Sequence, residues 1–225
     1  MSGISLLKKN AQLVLTKKNL TNVTARVGLV LDISGSMRSL YKNGTVQKVL
    51  ERIVAVASSL DDDGVLDVWV YDHRFSRLPS VTENDVDNYV EKHIFSNDYL
   101  PKFGRNDEPP VMRDVIAKYT KEEPSSDPAF VIFINDGGVK RGKGDNIDNA
   151  VIDSSGEPIF WQFIGVGESD FGVLKKLDNI EGRVVDNANF FQIQDIESME
   201  DNQLYELLLN EFPSWLQEAK DKHIY

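Results

Sequence analysis

The chain has no cysteine, which excludes disulfides, thiolate zinc sites and thiol catalysis together. Histidine is almost as scarce. His73, His93 and His223 are far apart and differ in setting. No Gly-x-Ser-x-Gly elbow accompanies them, so no Ser-His-Asp hydrolase set is expected. There is no run of eighteen apolar residues, and a transmembrane helix is not expected. Lys8 and Lys9 are not followed by an apolar stretch with a small-residue cleavage site, so a secretory signal is not expected and the cytoplasm is the default compartment. Positive charge is also in deficit: 25 Lys and Arg against 36 Asp and Glu leave a formal net charge of −11. Nucleic acid and anionic membranes both favour a basic face, so neither is the expected partner.

What remains is enough to build a core. The 225 residues are 41% hydrophobic, a length that suits one α/β domain with additions. We read residues 1–225 as a single domain, with 1–22 as an N-terminal extension packed on it. Largely apolar runs at 26–32, 129–135 and 158–166 read as strands buried on both faces. Residues 65–71 read as another strand, followed by a turn at Asp72-His73-Arg74 and a short edge strand at 75–78. Helical spacing predicts helices over 3–20, 45–60, 82–95, 109–119, 147–154, 171–177 and 199–219. A strand at 12–16 is the alternative within the first of these. The 82–95 helix would be capped by Thr82 with Asp85 three residues later. Residues 183–186 read as an edge strand. Apolar strands alternating with amphipathic helices imply a doubly wound, mostly parallel sheet with helices on both faces, a Rossmann-like α/β fold.

Two loops invite a ligand reading, one as a calcium site and one as a phosphate loop, and do not sustain it. Asp61-Asp62-Asp63-Gly64 lacks the oxygen spacing and distal Glu of an EF-hand, and reads as a helix-to-strand turn. The loop at 140–145 has glycine and lysine but not phosphate-loop spacing.

The informative stretch is 27–38. Val27, Leu29, Val30 and Leu31 form an apolar run that gives way within one residue to Asp32, Ser34 and Ser36, spaced by two, with Gly35 allowing a tight turn. One carboxylate and two hydroxyls are hard oxygen donors. They suit a small divalent cation such as Mg²⁺ and do not suit zinc or copper. The plain alternative is that these residues only cap and turn the chain. The loop falls where a parallel strand ends, which is where open α/β sheets place ligands. Asp136 closes the strand at 129–135 by the same apolar-to-acid switch, so the two carboxylates, about 100 residues apart, are expected in one crevice.

Asp32, Ser34 and Ser36, with Met37 following, resemble the metal-ion-dependent adhesion site (MIDAS) of von Willebrand factor A (vWA) domains. Segments elsewhere resemble one subgroup, the A-domain proteins of the bacterial tellurium-resistance and stress-response group: 5–9 through 15–18, 23–27, 159–165, 182–191 and Phe212-Pro213-Ser214-Trp215-Leu216. This resemblance implies a vWA fold. It implies Asp32, Ser34 and Ser36 as direct ligands and Asp136 as a direct or water-mediated one. It also implies a third loop, where the family commonly carries Gly-Thr-Asn. Here that place reads Gly104-Arg105-Asn106-Asp107, without the Thr, so Asn106 or Asp107 is expected to complete the set. The ion would be Mg²⁺, with Mn²⁺ or Ca²⁺ sharing the same ligands. A lightly neutralised ion of this kind can accept an Asp or Glu carboxylate from a partner protein, here expected among stress-response proteins. The expected function is therefore metal-dependent protein interaction without enzymatic activity. Aspartyl phosphatases also place Asp after a buried strand, but they usually carry a second Asp where this chain has Ser34. A phosphoester hydrolase using Asp32 and the same ion is the alternative from another class, and a metal-free scaffold is the third.

Overall fold

The structure is a computed structural model that describes residues 3–61, 63–137, 139 and 144–225, the side chains of 178 and 179 excepted. The chain opens with helix α1 (Gly3–Lys17), which buries Ala11, Val14 and Leu15, so the helical spacing prevails over a strand at 12–16. Strand β1 (Arg26–Asp32) follows, then a short helix α2 (Arg38–Lys42) that the sequence reading did not anticipate. Gly44, at φ 86°, separates α2 from α3 (Thr45–Leu60); a residue with a Cβ pays for that left-handed conformation. Next come β2 (Leu66–Tyr71), β3 (Phe75–Val81), α4 (Glu108–Ala117), β4 (Ala129–Asn135), α5 (Ile147–Asp153), β5 (Ile159–Val166), β6 (Ala188–Ile193), α6 (Asp201–Leu208) and α7 (Phe212–Asp221).

The six strands form one sheet in the order β3-β2-β1-β4-β5-β6. All neighbours pair in parallel except β3, an antiparallel edge on β2. Side chains alternate between two cores. Val27, Leu29 and Leu31 of β1 join Phe130, Ile132 and Ile134 of β4 against α1, α3, α6 and α7. Val30 joins Trp69, Tyr71, Val131, Phe133, Trp161 and Phe163 against α4 and α5. Gly28 lies on that second face, where an added Cβ would come within 2.8 Å of the Tyr119 hydroxyl and 3.3 Å of Trp69. Each buried Leu, Ile or Phe contributes ~1.5–3 kcal/mol, so both layers hold the strand ends in place beneath the loops above them.

Four expected elements come out differently, each for a local reason. Residues 82–95 do not form one helix. The Thr82 hydroxyl donates to Asp85 at 2.7 Å and accepts from the Asn84 N–H at 3.2 Å, closing a turn instead of starting a helix. Asn88 then takes φ 57°, and only a π-helical turn, Glu91–Phe95, follows. The 171–177 helix appears as a 3₁₀ helix shifted along the chain, Leu174–Asn179. Residues 183–186 are not a strand: Arg183 reaches the Ile180 carbonyl at 3.2 Å and the Asp186 carboxylate at 2.5 Å, and the edge strand begins afterwards as β6. The long final helix is two. Pro213 lacks the N–H that a continuous helix would use, and it sits instead in the first turn of α7, where that loss costs nothing. Asp62 and residues 140–143, parts of the two stretches read as a turn and a loop, lie outside the described residues.

Candidate metal centre

Parallel pairing puts the ends of β1, β2 and β4 side by side. Asp32 pairs in register with Tyr71 and Leu31 with Ile134, so Asp32 and Asn135 end adjacent strands. Alternation then places Asp32, Tyr71 and Asn135 on the α4 face. Above them, two loops are stitched together by backbone hydrogen bonds. Ile33 N–H donates to the Tyr71 carbonyl at 2.8 Å, Phe103 N–H to Ile33 at 2.8 Å, and Gly35 N–H to Gly104 at 3.1 Å.

Asp72 anchors the second loop. It is 1% exposed and accepts from the Gly104 N–H at 2.9 Å, the Arg74 N–H at 2.9 Å and the Arg74 guanidinium at 3.1 Å. Burial raises its pKa, but the hydrogen bonds from the Arg74 side chain, the Arg74 backbone and Gly104 outweigh it and leave the carboxyl below its usual range. Gly104 must be glycine at this close approach, because a Cβ would lie 2.5 Å from His73 Nδ1 and 2.6 Å from Asp72 Oδ2.

The sequence-predicted residues meet at this junction. Asp32 Oδ1 accepts from the Ser34 N–H at 2.6 Å. The Ser34 and Ser36 hydroxyls are 3.1 Å apart, and Ser36 donates to Asp136 Oδ1 at 2.9 Å. Asn106 Nδ2 donates to Asp32 Oδ2 at 3.1 Å and to the Gly137 carbonyl at 2.9 Å. The Gly137 carbonyl is a pure acceptor, which assigns the nitrogen to that side. Asn106 therefore meets Asp32 with its amide nitrogen, leaving its oxygen as the only atom of that side chain able to ligate. Asp107 is half-buried at the start of α4, with its N–H on the Asp72 carbonyl at 3.0 Å. Gly137 turns the third loop at φ 111°, and a Cβ there would meet Ser169 at 2.5 Å.

Electrostatics favour a cation. Burial pushes the Asp32 carboxyl up to about 7; hydrogen bonds from Ser34 oppose this, and the charges of Asp136 and Glu108 add to it. Burial also raises Asp136, against the Ser36 hydroxyl bond. Burial thus disfavours the ionised carboxylates in the absence of a counter-charge, and an adjacent cation would relieve that cost. Among the described residues no three His, Cys, Asp or Glu side chains gather into a metal cage. The donors on offer are instead two carboxylates and two hydroxyls, a hard set with limited charge that fits a divalent cation.

Sequence reasoning missed several residues of this centre. Asp72 had a readable signal, since it ends β2 by the same apolar-to-acid switch as Asp32 and Asp136. Tyr41, whose hydroxyl donates to the Asp32 carbonyl at 2.8 Å, and Glu108, fully buried at the first turn of α4, had none.

A doubly wound sheet in this order, with an Asp-x-Ser-x-Ser loop closing its central strand, defines a vWA domain. The vWA-TerF-like family profile, described as "vWA found in TerF C terminus", matches residues 24–225, and the chain belongs to that family. It is 60% identical over 224 residues to the uncharacterized protein YcbR of Bacillus subtilis (strain 168), an alignment covering all of this chain and 90% of that one. Solved structures share the fold at low identity. The ArnB paralog VWA2 from Sulfolobus acidocaldarius has a TM-score of 0.51 and 15% identity over 85% of this chain. Proximal thread matrix protein 1 from the mussel byssus, solved with a zinc-occupied MIDAS motif, has a TM-score of 0.55 and 14% identity over 88% of this chain. The chain spans just under half the length of these solved chains, 46% and 48%. No helix among the described residues is long and apolar enough to cross a membrane.

Proposed function

We propose that this vWA domain binds a divalent cation and uses it to hold a carboxylate of a partner protein. Asp32, Ser34 and Ser36 would ligate directly and Asp136 directly or through water, with Asn106 or Asp107 completing the set. The observation that carries this reading is the continuous hydrogen-bonded chain Ser34–Ser36–Asp136, which joins loops 100 residues apart at 2.9 Å beside a buried Asp32. An ion bound there supplies a Lewis-acidic position for an acidic side chain. The residues of this chain orient the donors and keep Asp32 out of bulk water.

Mg²⁺ is the ion we favour from the hard donors, with Mn²⁺ and Ca²⁺ as substitutes. The zinc seated at the motif of the mussel protein makes Zn²⁺ a necessary member of the test. The TerF-related family supports a role in tellurite or chemical stress response, with another stress-response protein as partner, in the cytoplasm and without catalysis.

Calorimetric titration with Mg²⁺, Mn²⁺, Ca²⁺ and Zn²⁺ tests the reading. Heat of binding in the wild type that disappears in Ser34→Ala/Ser36→Ala is the expected result. A silent wild type would reduce the domain to a scaffold. Turnover of a generic phosphoester with Mn²⁺, lost in Asp32→Ala, would establish a hydrolase instead.

A further inference from the structure

Most of the described arginines of this acidic chain are occupied. Of the eight described, six direct the guanidinium to carboxylates or backbone carbonyls: Arg26, Arg52, Arg74, Arg77, Arg113 and Arg183. Arg38 and Arg105 have neither an ion pair nor a hydrogen bond among the described residues, and both are exposed. They do not lie at random. Arg38 is two residues beyond Ser36. Arg105 is flanked by Gly104, which is bonded to Gly35, and by Asn106, which is bonded to Asp32.

A single open crevice relates them. It has a volume of about 850 Å³ and is lined by His73 and residues 103–107. Arg105 is part of its wall. The Arg38 guanidinium lies 4.3 Å over the ring of Phe103, another wall residue. Stacking on an aromatic face orients a guanidinium while leaving its N–H edge available to an anion. The crevice meets the metal centre at Asn106.

Two guanidinium groups without an ion pair among the described residues would, with a bound ion, offset the carboxylates of Asp107 in the crevice wall and of Asp32 and Asp136 beside it, on a chain of net charge −11. This arrangement suits a ligand with several negative groups in a short span, because one carboxylate on the ion leaves its neighbours within reach of Arg38 and Arg105. We propose that this site selects an acidic segment of a partner protein, one Asp or Glu flanked by further Asp or Glu residues, and that Arg38 and Arg105 set this preference. The inference rests on the metal-dependent reading above and goes beyond it by specifying the partner's sequence chemistry.

The test uses the full chain with saturating Mn²⁺ and two fluorescein-labelled Gly/Ser dodecapeptides, followed by anisotropy. One carries a single central Asp; the other carries the same Asp flanked by two Glu on each side. The clustered peptide is expected to bind about tenfold more tightly at low salt, a margin that shrinks as salt rises. Arg38→Ala/Arg105→Ala should bring the two peptides together while calorimetric Mn²⁺ affinity does not weaken. Equal wild-type affinities, or a full preference in the double variant, overturn the inference and leave the metal reading standing. Clustered-peptide binding that persists in EDTA also overturns it. Absence of Mn²⁺ heat in the wild type marks failure of the metal reading itself.

Discussion

Asp32 couples the proposed ion to the proton. Its carboxyl rises from 3.8 to about 7, burial being the largest cause, and a ligating carboxylate must give up its proton. With a pKa of about 7, apparent metal affinity should lie about tenfold below its alkaline limit at pH 6 and about a hundredfold below it at pH 5. Asp136 is also raised, so the two protons come off in steps that belong to the pair, and the slope is steeper wherever both titrate. The stability sign follows. A carboxyl whose folded pKa is raised stabilises the metal-free fold fully below its unfolded value of 3.8, and that contribution is lost as pH rises through about 7. At ~1.4 kcal/mol per unit, the loss is on the order of 4 kcal/mol. Bound ion reverses it, so the increase in Tm on adding Mg²⁺ should grow from pH 5 to pH 8. Asp61 is also raised to about 7, by burial and by Asp63, and it contributes to pH-dependent stability with or without metal. Metal titration separates the two. Calorimetry in buffers of different ionisation enthalpy should count about one proton released per ion near pH 6 and about none above pH 8. Affinity that is flat from pH 5.5 to 8, with no proton released, would refute the reasoning.

Two further changes probe the scaffold around the centre. Gly104→Ala forces a Cβ onto His73 and Asp72 and should cost ~1–3 kcal/mol in urea unfolding while also weakening metal binding, because Asn106 moves with the loop; unchanged metal affinity would separate the two loops. Arg52→Ala removes bonds to the Asp201 carboxylate at 2.7 Å, the Ile196 carbonyl at 2.8 Å and the Met199 carbonyl. It should cost ~2–4 kcal/mol with metal affinity unaffected, since these partners lie on the opposite face from Asp32.

Much of this architecture is readable before any coordinates because its signals are local. The strands at 26–32, 129–135 and 159–166 have near-continuous apolar interiors at 27–31, 129–134 and 159–166, with Gln162 as the one polar residue inside them, a pattern that burial on both faces explains. The helix at 45–60 repeats its apolar positions for four turns and is bounded by Asn43-Gly44 and an acidic turn. The motif at Asp32, Ser34 and Ser36 lies within five residues. Errors arose where one local signal competed with another. Thr82 and Asp85 satisfy a capping pattern and a turn equally well, and Asn88 decided for the turn. The apolar spacing from 199 to 219 favours one helix, and Pro213 divides it in two. Resemblance alone puts the third loop at 104–107, and which atom of Asn106 faces Asp32 depends on Gly137, 31 residues away. Glu108 and Tyr41 enter the centre only through packing.

The buried polar layer beneath the loops is a cost that packing alone does not explain. Asn135 is 0% exposed, and neither of its amide atoms has a hydrogen-bond partner among the described residues. The Tyr71 hydroxyl is near enough to Asn135 for their interaction to oppose the strong upward effect of burial on its pKa, but it too lacks a bond of good geometry. The corresponding inward positions earlier in β4, Ala129, Val131 and Phe133, are apolar, so the sheet could have continued as a plain core. A buried unpaired amide costs ~1–3 kcal/mol, and such costs persist where a site requires polarity. Asn135→Val keeps a residue suited to a central strand and removes the penalty. The metal-free variant should gain ~1–3 kcal/mol in urea unfolding and lose metal affinity, since the polar support beneath Asp32 is gone. A variant that is stabilised but binds metal as well as the wild type would show that Asn135 does not serve the ion, and one that is destabilised would show that its amide is already satisfied by water.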